Sequence, residues 1–171
     1  MGLKMGTVRI EEYNSNWQKE FEEEKKNLKE IFEDIAITIE HIGSTSIEEL
    51  SAKPIIDIAI GVSKLENFEK VRNKIITNKN YSIREENPEG EILVRKGTDD
   101  YTSYLIHVME YESDRYKNTI IFRDYLRKNK EDKIKYENLK KELGIKYKDN
   151  REMYTASKND FIQGILKKAK S

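Results

Sequence analysis

Three features of this 171-residue sequence predict an α+β domain, a mixed β-sheet flanked by helices with a helical C-terminal tail. Phe21, Leu28, Ile31, Phe32 and Ile35 recur at helical spacing near the start. Two apolar stretches of strand length follow, Ile35 to Ile42 and Ile55 to Val62. From about Tyr116 onward the chain reads as helix, with Phe122, Leu126, Ile134, Leu139, Leu143, Phe161, Ile162, Ile165 and Leu166 supplying apolar faces between charged ones. No Pro/Ser linker or internal repeat interrupts this order, so residues 1–171 form one domain.

Val8 to Glu12 opens the chain as a short strand. Ser15-Asn-Trp-Gln18 is a capping box, starting an amphipathic helix from Trp17 to about Glu33. Ile37, Ile39 and His41 then alternate with Thr38 and Glu40 in a strand that ends at Gly43-Ser44. Ser46-Ile-Glu-Glu49 has the form of a second capping box. Ile55 to Val62 is nearly all apolar, as expected of a central strand covered on both faces. Ser63-Lys-Leu-Glu66 is a third capping box, before a helix carrying Leu65, Phe68, Val71, Ile75 and Ile76. Tyr81 to Arg84, Glu91 to Lys96 and Ser103 to Glu110 are strands, separated by turns at Asn87-Pro-Glu-Gly90 and Gly97-Thr-Asp-Asp100. Runs such as Lys128 to Lys135 read as solvated helix faces.

Charge narrows the function classes. Charged residues make up 37% of the chain, yet 32 basic and 32 acidic side chains cancel. Such a surface suits a soluble protein and supplies no global field toward nucleic acid or an anionic membrane. No apolar run approaches the roughly 18 residues of a membrane span, and MGLKMGTVRI lacks an apolar signal core. The absence of cysteine rules out disulfides and thiolate chemistry and suits the cytoplasm, the expected location.

Alternation puts Ile56, Ile58, Ile60 and Val62 on one strand face and Ile55, Asp57, Ala59 and Gly61 on the other. A carboxylate on an apolar strand is costly unless a cation, hydrogen bonds or water meet it. Asp57 either pairs with Lys53 or a loop, or faces a ligand. Gly43 allows close approach, and Ser44, Thr45 and Ser46 add hydroxyls and backbone N–H groups, the materials of a phosphate cradle. A phosphate beside a carboxylate suggests Mg²⁺ between them. Lys53 can meet a phosphate or pair with Asp57. Arg123 and Arg127, four apart on one helix, can clamp an anion or bond Asp124 within a structural network. His41 is open to a ligand or a structural role, and Glu110, Glu112 and Asp114 are further oxygen donors.

Gly43-Ser44, twelve intervening residues and then Asp57-Ile-Ala-Ile resembles the signature of the nucleotidyltransferase (polymerase β-like) superfamily. The closer resemblance is to the GrpB family of bacterial proteins, predicted nucleotidyltransferases. It covers Val8-Arg-Ile with Trp17 and Phe21, HIGSTS and AKPIIDI between His41 and Ile58, and Ile106-His-Val. It continues through Phe122-Arg-Asp-Tyr-Leu-Arg127, Tyr136, Leu139-Lys140, Tyr154, Lys158 and Phe161-Ile162. The resemblance implies a nucleotidyltransferase-like sheet and Mg²⁺-dependent transfer of a nucleotidyl group from a nucleoside triphosphate to an acceptor. In that scheme Gly43 and Ser44 hold phosphates, Asp57 holds the metal, Arg123 and Arg127 offset developing charge, and His107 contacts or deprotonates the acceptor. Tyr154 and Lys158 match the family, but helix packing explains them as readily.

Three positions depart from the pattern. Ala59 stands where a second carboxylate would complete a two-metal platform, Glu48-Glu49 replaces a frequent Pro-Gly, and Leu105 replaces the first histidine of a His-X-His whose second member is His107. The alternative is therefore a binding module for a nucleotide or other phosphorylated small molecule, coenzyme A-related ligands included, that lacks transfer chemistry. On the metal reading, Ala59→Asp is expected to raise Mg²⁺ affinity.

Overall fold

The structure, a computed structural model, describes residues 1–87 and 90–171. The expected turn at Asn87-Pro-Glu-Gly90 includes Pro88 and Glu89, which lie outside the described residues. Among the described residues six strands make one sheet: β1 (Leu3–Lys4), β2 (Thr38–Ile42), β3 (Ile56–Val62), β4 (Tyr81–Asn87), β5 (Glu91–Gly97) and β6 (Tyr101–Glu110). The order is β2-β3-β6-β5-β4, with β1 added to the start of β6 at Leu3↔Thr102. The β3–β6 pair is parallel and the other pairs are antiparallel, so the sheet is mixed. The helices are α1 (Asn16–Phe32), α2 (Glu69–Ile76), α3 (Asp114–Lys128), α4 (Lys130–Lys146), α5 (Arg151–Ser157) and α6 (Asn159–Lys170). This is the α+β architecture the sequence predicts.

The main core lies between α1, α2 and one face of the sheet. Ile56, Ile58, Ile60 and Val62 of β3 and Ile106 and Val108 of β6 meet Trp17, Phe21, Leu28 and Phe32 of α1 there. These helix residues recur every three or four positions, which brings one stripe to the sheet. The opposite face is covered unevenly. At one end Tyr116 and Ile120 of α3 pack on Ile42, Ala59 and Met109. At the other end the helical tail stands over the sheet and leaves a cavity.

Local expectations fail where residue type alone carried them. Val8 to Glu12 is not a strand of the sheet: it makes an isolated bridge, Glu11↔Ala52, and packs Val8 and Ile10 near Leu143 and Tyr154 of the tail. None of the three capping boxes forms. Ser15 has helical angles (φ −62, ψ −18), and the Asn14 side chain accepts from the Asn16 N–H instead. After Ser46 the chain runs extended at Ile47. A short 3₁₀ turn, Leu65–Phe68, precedes α2, and the Ser63 hydroxyl accepts from the Asn67 side chain. An N-cap needs extended backbone angles at the capping residue, which the i, i+3 residue pattern does not guarantee.

Candidate functional site

The β2–β3 register sets Ile42 opposite Asp57, so the turn after β2 begins beside the carboxylate. Gly43 has φ +70, and a Cβ there would lie 2.7 Å from Asp57 Oδ2. Both its angles and this contact select glycine. In the parallel pair Asp57 sits opposite Leu105 and Ala59 opposite His107, so Asp57 and His107 share a face one pair apart. His107 Nε2 lies 3.1 Å from Asp57 Oδ1, and its Nδ1 lies 3.1 Å from Glu91 Oε1 of β5.

The two carboxylates decide the protonation of this histidine. Burial lowers its pKa, but hydrogen bonds and charge from Asp57 and Glu91 outweigh that and raise it to about 10. His107 is therefore an imidazolium with both N–H groups donating. Burial raises the carboxyls of Asp57 and Glu91, yet the His107 bond and charge hold both below the usual range; Lys53 and Lys158 add to this at Asp57. A cation with both nitrogens engaged is a poor base. The expectation that His107 deprotonates an acceptor thus gives way to a charged strut that orients Asp57.

Asp57 opens into a cavity of about 800 Å³ between the sheet and the helical tail. One wall is apolar, from Leu93, Leu105, Phe122 and Ile162. The lining also includes the basic side chains Lys53, Arg115, Lys140, Arg151 and Lys158. The Nζ atoms of Lys53 and Lys158 lie 5.1 and 4.6 Å from the centroid of the same ring, Tyr154. Lys140, 1% exposed, donates to the Ser51 carbonyl and lies 4.9 Å from the Tyr136 ring. Burial, the Lys158 charge and Arg151 lower Lys53 to about 7 against the pull of Asp57. Burial first, then the charge of Lys158, hold Lys140 well below an ordinary lysine despite Glu137. None of these three lysines makes an ion pair among the described residues.

The predicted residues divide. Gly43, Ser44, Thr45, Lys53, Asp57 and His107 line this cavity. The Thr45 hydroxyl, however, bonds His41 Nε2 at 2.9 Å, and the Ser46 hydroxyl donates to Gly43 O at 2.6 Å. Neither hydroxyl is left for a phosphate, whereas Ser44 is half-buried at the cavity edge. His41 is structural: it stacks on Phe21, and burial lowers it to about 4, so it is neutral.

Arg123 and Arg127 do not join the cavity. Arg123, 8% exposed, bonds Glu40 at 2.8 Å, His41 O at 3.0 Å and Asp124 at 2.9 Å. Arg127 donates twice to Ser46 O, at 3.2 and 2.8 Å, and lines a separate cavity of about 410 Å³. Arg123 thus ties α3 to β2, and Arg127 ties it to the turn after β2. Glu91, Lys140 and Arg151 join the site as well. Lys140, Tyr154 and Lys158 match the family pattern, whereas Glu91 and Arg151 carry no such signal in the sequence.

The donor set does not fit Mg²⁺. Asp57 has one oxygen on an imidazolium, and the charges of Lys53 and Lys158 also act on it. Ala59, where a second carboxylate would stand, is fully buried with Ile42, Met109 and Tyr116. No cluster of three or more His, Cys, Asp or Glu side chains suited to a metal occurs among the described residues; Glu110, Glu112 and Asp114 form none. Among these residues no helix is long and apolar enough to cross a membrane.

Fold and site together define an α+β protein with a partly open cavity, lined by apolar and basic side chains, over one face of a mixed sheet. The family model described as GrpB protein matches residues 7–168, and the chain belongs to the GrpB family. The Glutamate-rich protein GrpB of Alkalihalophilus pseudofirmus is 35% identical over 170 residues, 97% of this chain and 98% of that relative. The UPF0157 protein YqkA of Bacillus subtilis is also 35% identical, over 95% of this chain but 47% of its own length. The crystal structure of the conserved protein GrpB from Enterococcus faecalis superposes with a TM-score of 0.85 at 32% identity, covering 94% of this chain and 96% of that one.

Proposed function

We propose that the cavity binds a nucleotide or another phosphorylated small molecule as a nucleotidyltransferase-like domain that meets its anion with lysines rather than Mg²⁺. The observation that carries this reading is the grouping of Lys53, Lys140 and Lys158 in one cavity without carboxylate partners among the described residues. Crowding like charges in a low-dielectric space is unfavourable until an anion enters. Asp57, held by His107, can accept from a ligand hydroxyl or amine, and Leu93, Leu105 and Phe122 offer a flat apolar body a surface. The Tyr154 hydroxyl is buried without a hydrogen-bond partner among the described residues.

Nucleotidyl transfer by two metal ions would need a second carboxylate, and Ala59 supports the binding reading over it. Thermal shift and calorimetry with the four nucleoside triphosphates, coenzyme A precursors and inorganic phosphate, each with and without Mg²⁺, test the choice. Stabilisation without Mg²⁺ is expected, by about 2.7 kcal/mol at a hundredfold excess over the dissociation constant. Stabilisation by any of them only with Mg²⁺ restores the transferase reading, and none with any ligand removes the binding proposal.

A further inference from the structure

We propose that Lys53 is a nucleophilic amine, and that the cavity admits an anionic aldehyde or ketone whose carbonyl carbon Lys53 attacks to form an imine. The inference shares its cavity with the reading above but depends on the amine, not on a phosphate. Pro54 disfavours helix at Lys53, and the chain bends there, the Ile55 N–H donating to the Lys53 carbonyl at 2.7 Å before β3 begins at Ile56. The half-buried side chain then enters the cavity beside the Tyr154 ring. The charged and titratable groups around it are Asp57 of β3, Lys140 of α4, Arg151 and Tyr154 of α5, and Lys158 between α5 and α6. Only Asp57 among them is an anion, and one of its oxygens is taken by the His107 imidazolium.

This setting favours the free amine. Burial, Lys158 and Arg151 bring Lys53 to about 7. At neutral pH roughly half of it carries a lone pair, against about one molecule in a thousand or fewer for an ordinary lysine. Desolvation next to other cations is a recognised way to activate a lysine. Lys140 is also depressed, but its nitrogen is engaged by the Ser51 carbonyl and it is almost wholly enclosed. Lys158 and Arg151 are left to hold the anionic substituent.

The step balances without an added reagent. The Nζ lone pair forms the C–N bond as the carbonyl π pair moves to oxygen, which takes up a proton. Nζ sheds its two protons in turn and water leaves, so amine plus carbonyl becomes imine plus water. No group is oxidised or reduced.

The test is borohydride trapping on the full chain with pyridoxal phosphate and, separately, unphosphorylated pyridoxal, followed by peptide mapping. Lys53 is expected to carry the pyridoxyl group at least tenfold above any other lysine, with a midpoint in the pH profile near 7. Lys53→Arg should abolish that adduct while keeping the charge, and Lys158→Met should move the midpoint upward. Adducts spread over surface lysines, or a Lys53 midpoint in the ordinary lysine range, overturn the proposal. Selective trapping of Lys53 by both aldehydes, with no stabilisation by phosphorylated ligands, upholds this inference while removing the phosphate reading.

Discussion

At position 43 the backbone has φ +70 and comes against a carboxylate, so two independent constraints act on one residue. Gly43→Ala should destabilise the fold by about 1–3 kcal/mol, read from denaturant unfolding, through the left-handed angle and the Asp57 contact. His107 makes a pH-dependent contribution. Its pKa rises from 6.5 to about 10 on folding, so its stabilisation is complete below pH 6.5 and is lost as pH rises toward 10. Lys53 runs the other way: depressed from 10.5 to about 7, it favours the fold more as pH rises across that interval. The difference between wild type and His107→Gln separates the two. The advantage of wild type over the variant should shrink steadily from pH 6.5 to pH 10 in unfolding titrations. A constant difference across that range would show that His107 is not held as an imidazolium.

Helix α3 decides what its arginines do. The sequence placed Arg123 and Arg127 on a common side of one helix, and that geometry holds; what it could not supply was the element facing that side. The partner is β2 and its turn, so these residues anchor β2 and the turn and do not line the Asp57 cavity. Arg123→Lys keeps one charge but loses the planar fork that serves Glu40, His41 O and Asp124 together. The expected result is a loss of about 2 kcal/mol in stability with ligand affinity per folded molecule unchanged, measured by unfolding and calorimetry. The same helix sets the outcome at Ala59. Tyr116 and Ile120 close over that end of the face, so Ala59→Asp buries an unpaired carboxylate among apolar groups. A melting temperature lowered by several degrees and no gain in Mg²⁺ binding are expected, contrary to the metal reading of the sequence; increased Mg²⁺ affinity would restore that reading.

Across the whole molecule net charge is zero, yet several basic side chains gather in one cavity. Five basic side chains, Lys53 before β3, Arg115 of α3, Lys140 of α4, Arg151 of α5 and Lys158 at the α5–α6 junction, line one cavity, drawn from well-separated parts of the sequence. Such an arrangement trades stability for binding. Lys158→Met should raise the stability of the ligand-free protein by about 1 kcal/mol, because a like charge beside Lys53 is removed. The same variant should weaken stabilisation by phosphorylated ligands. A variant that loses stability instead would show that Lys158 is held by favourable contacts, and the basic wall would no longer count as a strained anion site.

The sequence by itself determined the α+β class, the two faces of β3 and the glycine turn beside Asp57; β3 is an interior strand, but β6 holds the centre of the sheet. The first three rest on periodicity or on a residue with restricted backbone freedom, and both act over a few neighbouring positions. It also carried the imprint of the GrpB family across most of the chain. Only the tertiary structure decided that His107 is bracketed by Asp57 and Glu91, that Arg123 and Arg127 serve the turn, and that the lysines of the tail complete the site. The reason is physical. Protonation and burial depend on charges and atoms brought close by the sheet register and by helices folded back over it, and those distances are not encoded in the spacing along the chain.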